Sequence, residues 1–224
     1  MTIKAIVFDF DGLIVDTETN EFKAFQEIFR IHGAELTLAE WSGCVGTDLS
    51  VYNPYDHLER CVGRPLDRDQ IRELRKQLFN RLMENEQLRP GVIHVLGQAK
   101  QLGLKVGIAS SSSFEWVGGF LRRYGIAEYF DCIRTRDDVA KVKPDPELYL
   151  KAAECLGVNP KEALAFEDSP NGALAARRAG LHCVVVPNSV TETLPFGEYT
   201  ARIPTMEGLD LKKLLASIET GQII

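Results

Sequence analysis

The sequence predicts an α/β protein: a doubly wound parallel sheet with a small helical-bundle cap inserted after the first strand. Three observations carry that expectation. From about residue 89 onward, short apolar strand signals alternate with amphipathic helix signals, the order that produces parallel crossover units. One more strand signal, residues 3–8, stands alone near the start. Between the two, residues 17–85 read only as helix.

Ile3, Ala5, Ile6, Val7 and Phe8 form an apolar, partly β-branched run that stops abruptly at Asp9. Residues 21–31 then place Phe22, Phe25, Ile28 and Phe29 on one helical face. Shorter helices are expected around 38–42 and 51–61. Residues 67–83 place Ile71, Leu74, Leu78 and Leu82 on one face, and Asp67 with Gln70 has the pattern of a capping box. After Arg89-Pro90-Gly91, the face Val92, Val95, Leu96, Ala99 makes a helix ending at Gly103. Strands are expected at 104–109, 163–166 and 181–186. Helices are expected at 114–124, 146–156 and 171–179, stopped by Gly125, Gly157 and Gly180. The tail after Leu215 reads as a surface helix or a frayed end. The division is therefore 1–15 and 88–224 for the sheet-bearing core, and 16–87 for the helical insertion.

The chain has 224 residues and a formal net charge of −6. Nucleic acid and anionic membrane are excluded as main partners, because both need a basic field. No apolar run reaches the length of a membrane span. The start, MTIKAIVFDFDG, lacks an apolar leader, and the five cysteines are scattered without CxxC spacing. They are expected to be reduced core residues of a cytoplasmic protein. A monomer is the default expectation.

Open parallel sheets bind ligands beyond the carboxyl ends of their strands. After the first strand come Asp9 and Asp11, one residue apart. Alternate residues of an extended chain point the same way, so the two carboxylates converge and demand a cation or a shared proton. After 104–109 comes Ser110-Ser111-Ser112-Ser113. After 163–166 comes Glu167-Asp168-Ser169. Lys143 precedes Pro144-Asp145-Pro146. Each piece alone has an ordinary reading: a turn, an N-cap, a solvated lysine. Together they suit a hard divalent ion, Mg2+, beside a phosphoryl group. Asp9 would attack phosphorus and form an aspartyl-phosphate, and Asp11 would serve as the proton donor and acceptor. Ser110, the Ser111 N–H and Lys143 would bind phosphoryl oxygens, while Asp168 and Glu167 would complete the metal shell.

With these residues in place, the chain resembles the haloacid dehalogenase superfamily of phosphotransferases, in the branch containing β-phosphoglucomutase and small phosphate-ester phosphatases. FDFDGLIVDTE, IASSSS, KVKPDPELY and FEDSPNG match the four family motifs. The resemblance implies Asp9 as nucleophile, and Asp11 as acid/base and as metal ligand through its carbonyl. It also implies a mobile cap that closes over the site. A carboxylate at position 11 disfavours carbon–halogen cleavage. Mutase members carry a histidine ten positions after the second aspartate, where this chain has Glu21. They also carry a cap-loop arginine that clamps a distal phosphate, where this chain has Val45-Gly46-Thr47-Asp48-Leu49.

The expectation is an Mg2+-dependent hydrolase of a small phosphorylated metabolite such as a sugar phosphate. Asn20, Glu21, Gly46 and Thr47 are the cap candidates at the substrate. Two alternatives stand beside it. One is a hexose-phosphate mutase; the other, a noncatalytic receiver-like phosphate-binding module, would need no helical insertion. His32 and His57 have no companions at ligand spacing.

Overall fold

The computed structural model describes residues 2–41 and 52–222. Its strands are β1 (Ala5–Phe8), β2 (Lys105–Ala109), β3 (Cys132–Arg134), β4 (Ala163–Glu167), β5 (His182–Val185) and β6 (Ala201–Arg202). They form one sheet in the order β3-β2-β1-β4-β5-β6, every neighbouring pair parallel. β1 is central, and all four of its residues are buried. Its side chains alternate between two separate cores. Ile6 and Phe8 pack with Val106, Ile108, Leu164 and Phe166 on one face; Ala5 and Val7 pack with Ala163, Ala165 and Tyr149 on the other. An unbroken apolar strand is what a sheet covered on both faces requires.

Between β1 and β2 the chain forms α1 (Thr17–Ile31), α2 (Leu38–Trp41), α3 (Pro54–Val62), α4 (Arg68–Met83) and α5 (Val92–Gln101). Phe22, Phe25, Ile28 and Phe29 of α1 make a third core with Trp41, Leu58 and Ile71. α1 begins four residues before its apolar periodicity does. Asp16 caps it by accepting from the Thr19 N–H at 3.0 Å. The polar first turn carries Glu18 and Asn20, so it shows no hydrophobic face to read. The expected capping box at α4 is one-sided. Asp67 accepts from the N–H groups of Asp69 and Gln70, with no return bond from the Gln70 side chain among the described residues.

The remaining helices are α6 (Phe114–Tyr124), α7 (Glu147–Leu156), α8 (Pro170–Ala179) and α9 (Leu211–Thr220). After Leu215 the chain is the surface helix that was expected: α9 runs on to Thr220, and residues 216–222 are exposed or half-buried, while the start of the helix is anchored in the core. Leu211, Leu214 and Leu215 are buried, and the Gln98 side chain brackets the helix start through Leu209 O (2.7 Å) and the Leu211 N–H (2.8 Å). β3 and β6, three and two residues long, are too short to leave a periodic signal. The cysteine expectation is corrected. Cys132 of β3 and Cys155 of α7 form a disulfide, their Cα atoms brought 6.2 Å apart by helix–strand packing that spacing along the chain does not reveal. Cys183 is buried and free; Cys61 is exposed and free. Among the described residues, no helix is long and apolar enough to cross a membrane.

Candidate active site

The site follows from strand register. Phe8 of β1 lies level with Ile108 of β2 and Phe166 of β4. The Asp9 N–H donates to Phe166 O (3.0 Å), and the Ser110 N–H donates to Arg134 O (2.9 Å). Asp9, Ser110 and Glu167 therefore emerge together at the carboxyl edge, beside the central strand where the sheet order reverses.

Lys143 reaches into this edge from the loop before α7. Its Nζ donates to Asp9 Oδ1 at 2.5 Å and to Glu167 Oε1 at 2.7 Å, and all three side chains are buried. The Tyr149 hydroxyl donates to the same Glu167 oxygen at 2.5 Å. Burial pushes the Asp9 carboxyl up to about 8; the Lys143 charge opposes that shift, and the Glu167 and Asp11 charges add to it. Burial alone would lower Lys143, but Asp9 and Glu167 outweigh it and raise its pKa. Burial, then the Asp9 and Glu167 charges, raise Asp168 well above the carboxylate range.

Two glycines make room for the acids. Gly12 has φ +81°, and a Cβ there would lie 2.3 Å from Asp168 Oδ2 and 2.7 Å from Asn188 Nδ2. Asn188 Nδ2 donates to Asp168 Oδ2 (2.7 Å) and to Gly12 O (3.3 Å), which fixes the aspartate against the first turn. A Cβ on Gly172 would lie 2.0 Å from both oxygens of Glu167.

Asp11 is held by four donors. Thr17 Oγ1 (2.9 Å) and Trp116 Nε1 (2.8 Å) donate to Oδ1; Ser112 Oγ (2.6 Å) and Ser110 Oγ (3.3 Å) donate to Oδ2. The Ser110 hydroxyl also accepts from the Ser112 N–H at 3.0 Å.

A cavity of about 560 Å³ opens above these groups. Its floor includes Asp9, Asp11, Ser111, Lys143 and Asp168; Glu18, Glu21, Arg75 and Phe79 of the helical insertion form its opposite wall. Arg75 donates to both oxygens of Glu21, at 2.7 and 2.8 Å. Burial raises Glu21 against the pull of Arg75. Burial, followed by the Asp11, Glu21, Asp9 and Asp16 charges, pushes Glu18 up to about 8.

The predicted core residues thus meet at one edge, with Ser110 and Glu167 just behind the cavity surface. Among the predicted cap residues, Glu21 faces the cavity. Asn20 does not: its amide ties α1 to the segment after α4, donating to Glu86 Oε2 (2.6 Å) and Asp16 O (2.9 Å). Gly46 and Thr47 lie outside the described residues. The sequence reading passed over Glu18, Arg75, Trp116, Tyr149 and Asn188. Glu18, directly after the Asp16-Thr17 pair in the first motif, and Tyr149, the last residue of the third, carried a positional signal.

Asp9, Glu167 and Asp168 each offer a carboxylate oxygen, all within 4.8 Å of one another. Among the described residues nothing donates to Asp9 Oδ2 or Asp168 Oδ1. A buried all-oxygen set with free lone pairs fits a hard divalent cation such as Mg2+ better than a thiophilic one.

Residues 6–186 match the family described as haloacid dehalogenase-like hydrolase. The chain is 51% identical over 213 residues to the provisionally named phosphatase YhcW of Bacillus subtilis (strain 168), covering 95% of this chain and 96% of that one. It is 30% identical over 187 residues to the phosphorylated carbohydrates phosphatase of Thermotoga maritima, covering 80% and 82%. Among solved structures, a mutant CbbY from Rhodobacter sphaeroides in complex with xylulose-(1,5)bisphosphate superposes with a TM-score of 0.73 at 30% identity, covering 93% and 97%.

Proposed function

From the premise that this chain belongs to the haloacid dehalogenase-like hydrolase family, in its β-phosphoglucomutase-like branch, and is a phosphoric monoester hydrolase, we propose that it is an Mg2+-dependent phosphatase of small phosphorylated metabolites of the sugar-phosphate class, working through an aspartyl-phosphate. One observation carries the reading: three buried carboxylates, Asp9, Glu167 and Asp168, converge within 4.8 Å of one another, and one buried lysine bonds two of them. Structural ion pairs do not need three acids for one cation.

Asp9 is the nucleophile. Lys143 holds its Oδ1, leaving Oδ2 free to attack phosphorus. Ser110, Ser111 and Lys143 bind the other phosphoryl oxygens. Asp11 protonates the leaving alkoxide, then removes a proton from the water that cleaves the aspartyl-phosphate. Asp9, Glu167, Asp168 and the Asp11 carbonyl would hold the metal. When bound, Mg2+ neutralises the charge of the phosphoryl oxygens and lets an anion attack an anion. Residues 16–87 act as the cap, with Glu18 and Glu21 presenting carboxyl groups to a hydroxylated leaving group. Two relatives supply the substrate class: one is named for phosphorylated carbohydrates, the other holds a sugar bisphosphate.

The test is phosphate release from a sugar-phosphate panel, with Mg2+ and with chelator, by wild type and Asp9→Asn. Release by wild type that needs Mg2+ and falls at least about a hundredfold in the variant supports the reading. A variant that keeps more than about a hundredth of the rate removes the covalent mechanism. Isomerisation of a hexose 1-phosphate with little net release would favour the mutase alternative instead.

A further inference from the structure

α6 begins directly after the serine loop, its first turn capped by Ser113. Trp116, Phe120, Arg123 and Tyr124 follow at helical spacing, so they share one face. That face docks on the far end of α4. Arg123 donates to Met83 O (2.6 Å) and Glu84 O (2.8 Å), and the Tyr124 hydroxyl donates to Glu86 O (2.8 Å). Trp116 sits at its upper end. Its ring lies 5.7 Å from that of Phe79 on α4 and edge-on to Phe120 at 5.0 Å. The same ring lines the active-site cavity and gives its N–H to Asp11 Oδ1 at 2.8 Å. One side chain thus touches both Asp11 and the helical insertion.

We propose that Trp116 is a positioning residue for Asp11: its indole N–H fixes the carboxylate, and Phe79 fixes the indole. The assignment rests on the reading of Asp11 as the acid/base. An aspartate side chain has two free torsions, and proton transfer tolerates little misplacement; an error of about 1 Å can cost about a hundredfold in rate. Thr17 supplies a donor from the helical insertion, and Ser112 and Ser110 supply donors from the serine loop. Trp116 supplies the one whose direction depends on packing between α6 and α4. A rigid ring with two torsions holds such a bond at low entropic cost. Seating of the insertion and aim of the acid/base are thereby mechanically linked.

The experiment is a mutant cycle with p-nitrophenyl phosphate, an ester whose good leaving group keeps residual turnover measurable. Trp116→Phe keeps the ring and loses the donor; Trp116→Gln keeps a donor and loses the ring. Trp116→Phe should lower kcat about tenfold, the range of one lost charge-assisted hydrogen bond, with KM within about twofold. Trp116→Gln should retain more kcat than Trp116→Phe. In an Asp11→Asn background, adding Trp116→Phe should change the residual rate by less than about twofold. Equal losses in both backgrounds, an unchanged or raised kcat in Trp116→Phe, or a Gln variant worse than Phe each overturns the assignment. If Asp11→Asn itself leaves kcat intact, the acid/base reading fails. If Asp11→Asn is slow and Trp116→Phe is not, the positioning role alone fails.

Discussion

The Lys143 ammonium lies 2.5 Å from Asp9 Oδ1, and both side chains are shut away from solvent. A buried cation between two buried acids is costly to remove, because the acids are then left uncompensated. At a pH above the Asp9 value of about 8, where its carboxylate is ionised, Lys143→Met should lower the stability of the metal-free protein by about 3–5 kcal/mol in denaturant titration. It should also abolish phosphate release. A variant as stable as wild type would mean that the lysine is not neutralising Asp9 and Glu167.

Removal of the metal should reveal the Asp9 shift. Burial sets the Asp9 carboxyl up to about 8 in the folded protein, against about 4 when unfolded. Between those values the folded state holds a proton that the unfolded state has released. Metal-free stability therefore falls as pH rises through that window, by up to about 1.4 kcal/mol per unit for a full proton. A cation at Asp9 competes with that proton. The rise in Tm on adding Mg2+ should be larger near pH 8 than near pH 5, and Asp9→Asn should shrink the difference, with the raised Asp168 keeping the rest. Equal rises at both pH values in wild type would place the ion elsewhere.

Gly172 should be intolerant of any side chain. A Cβ there would lie 2.0 Å from both Glu167 oxygens, and the carboxylate can move aside only by giving up its bonds to Lys143 (2.7 Å) and Tyr149 (2.5 Å). Gly172→Ala should weaken Mg2+ binding at least about tenfold, the usual scale for disturbing a metal's supporting groups. Calorimetric titration of Mg2+ reads this directly. Unchanged affinity would remove Glu167 from the metal shell.

What was legible in the sequence is what local order encodes. Asp9 and Asp11 follow an apolar strand, and the serine loop, Lys143 and Glu167-Asp168 follow or serve other strands. Parallel-sheet physics alone brings such strand ends to one edge. What was not legible depends on distance. Arg75 meets Glu21 across 54 positions because α4 packs on α1. Trp116 meets Asp11 because a helix face turns one ring toward both the site and Phe79. β3 is three residues long, yet its packing against α7 creates the disulfide that cysteine spacing did not reveal.

That disulfide should serve stability and not turnover. It closes a segment of 23 positions, which in the chain-entropy account gives about 3 kcal/mol. Neither cysteine lines the active-site cavity. Cys132→Ser with Cys155→Ser, or addition of reductant, should lower Tm while leaving kcat and KM within about twofold. A tenfold loss of kcat in the folded double variant would tie the bridge to the chemistry.

The Glu21–Arg75 pair should govern whether a second phosphate is welcome. Arg75 is a cation on the cavity wall, but its Nη1 already bonds both oxygens of Glu21, at 2.7 and 2.8 Å. An anionic group on the substrate that reached Arg75 would meet the Glu21 charge beside it, while a neutral hydroxyl can bond to Glu21 without that repulsion. Glu21→Gln keeps the shape, removes the competing charge and frees the guanidinium. The pair is about a quarter to a third exposed, so water screens it, and the change is on the scale of about 1 kcal/mol, or about fivefold. KM for a sugar bisphosphate should therefore fall about fivefold relative to a sugar monophosphate in Glu21→Gln. Arg75→Met should leave the monophosphate within about threefold while cancelling the gain when combined with Glu21→Gln. Equal KM shifts for both substrates would show that the pair shapes the wall without selecting charge.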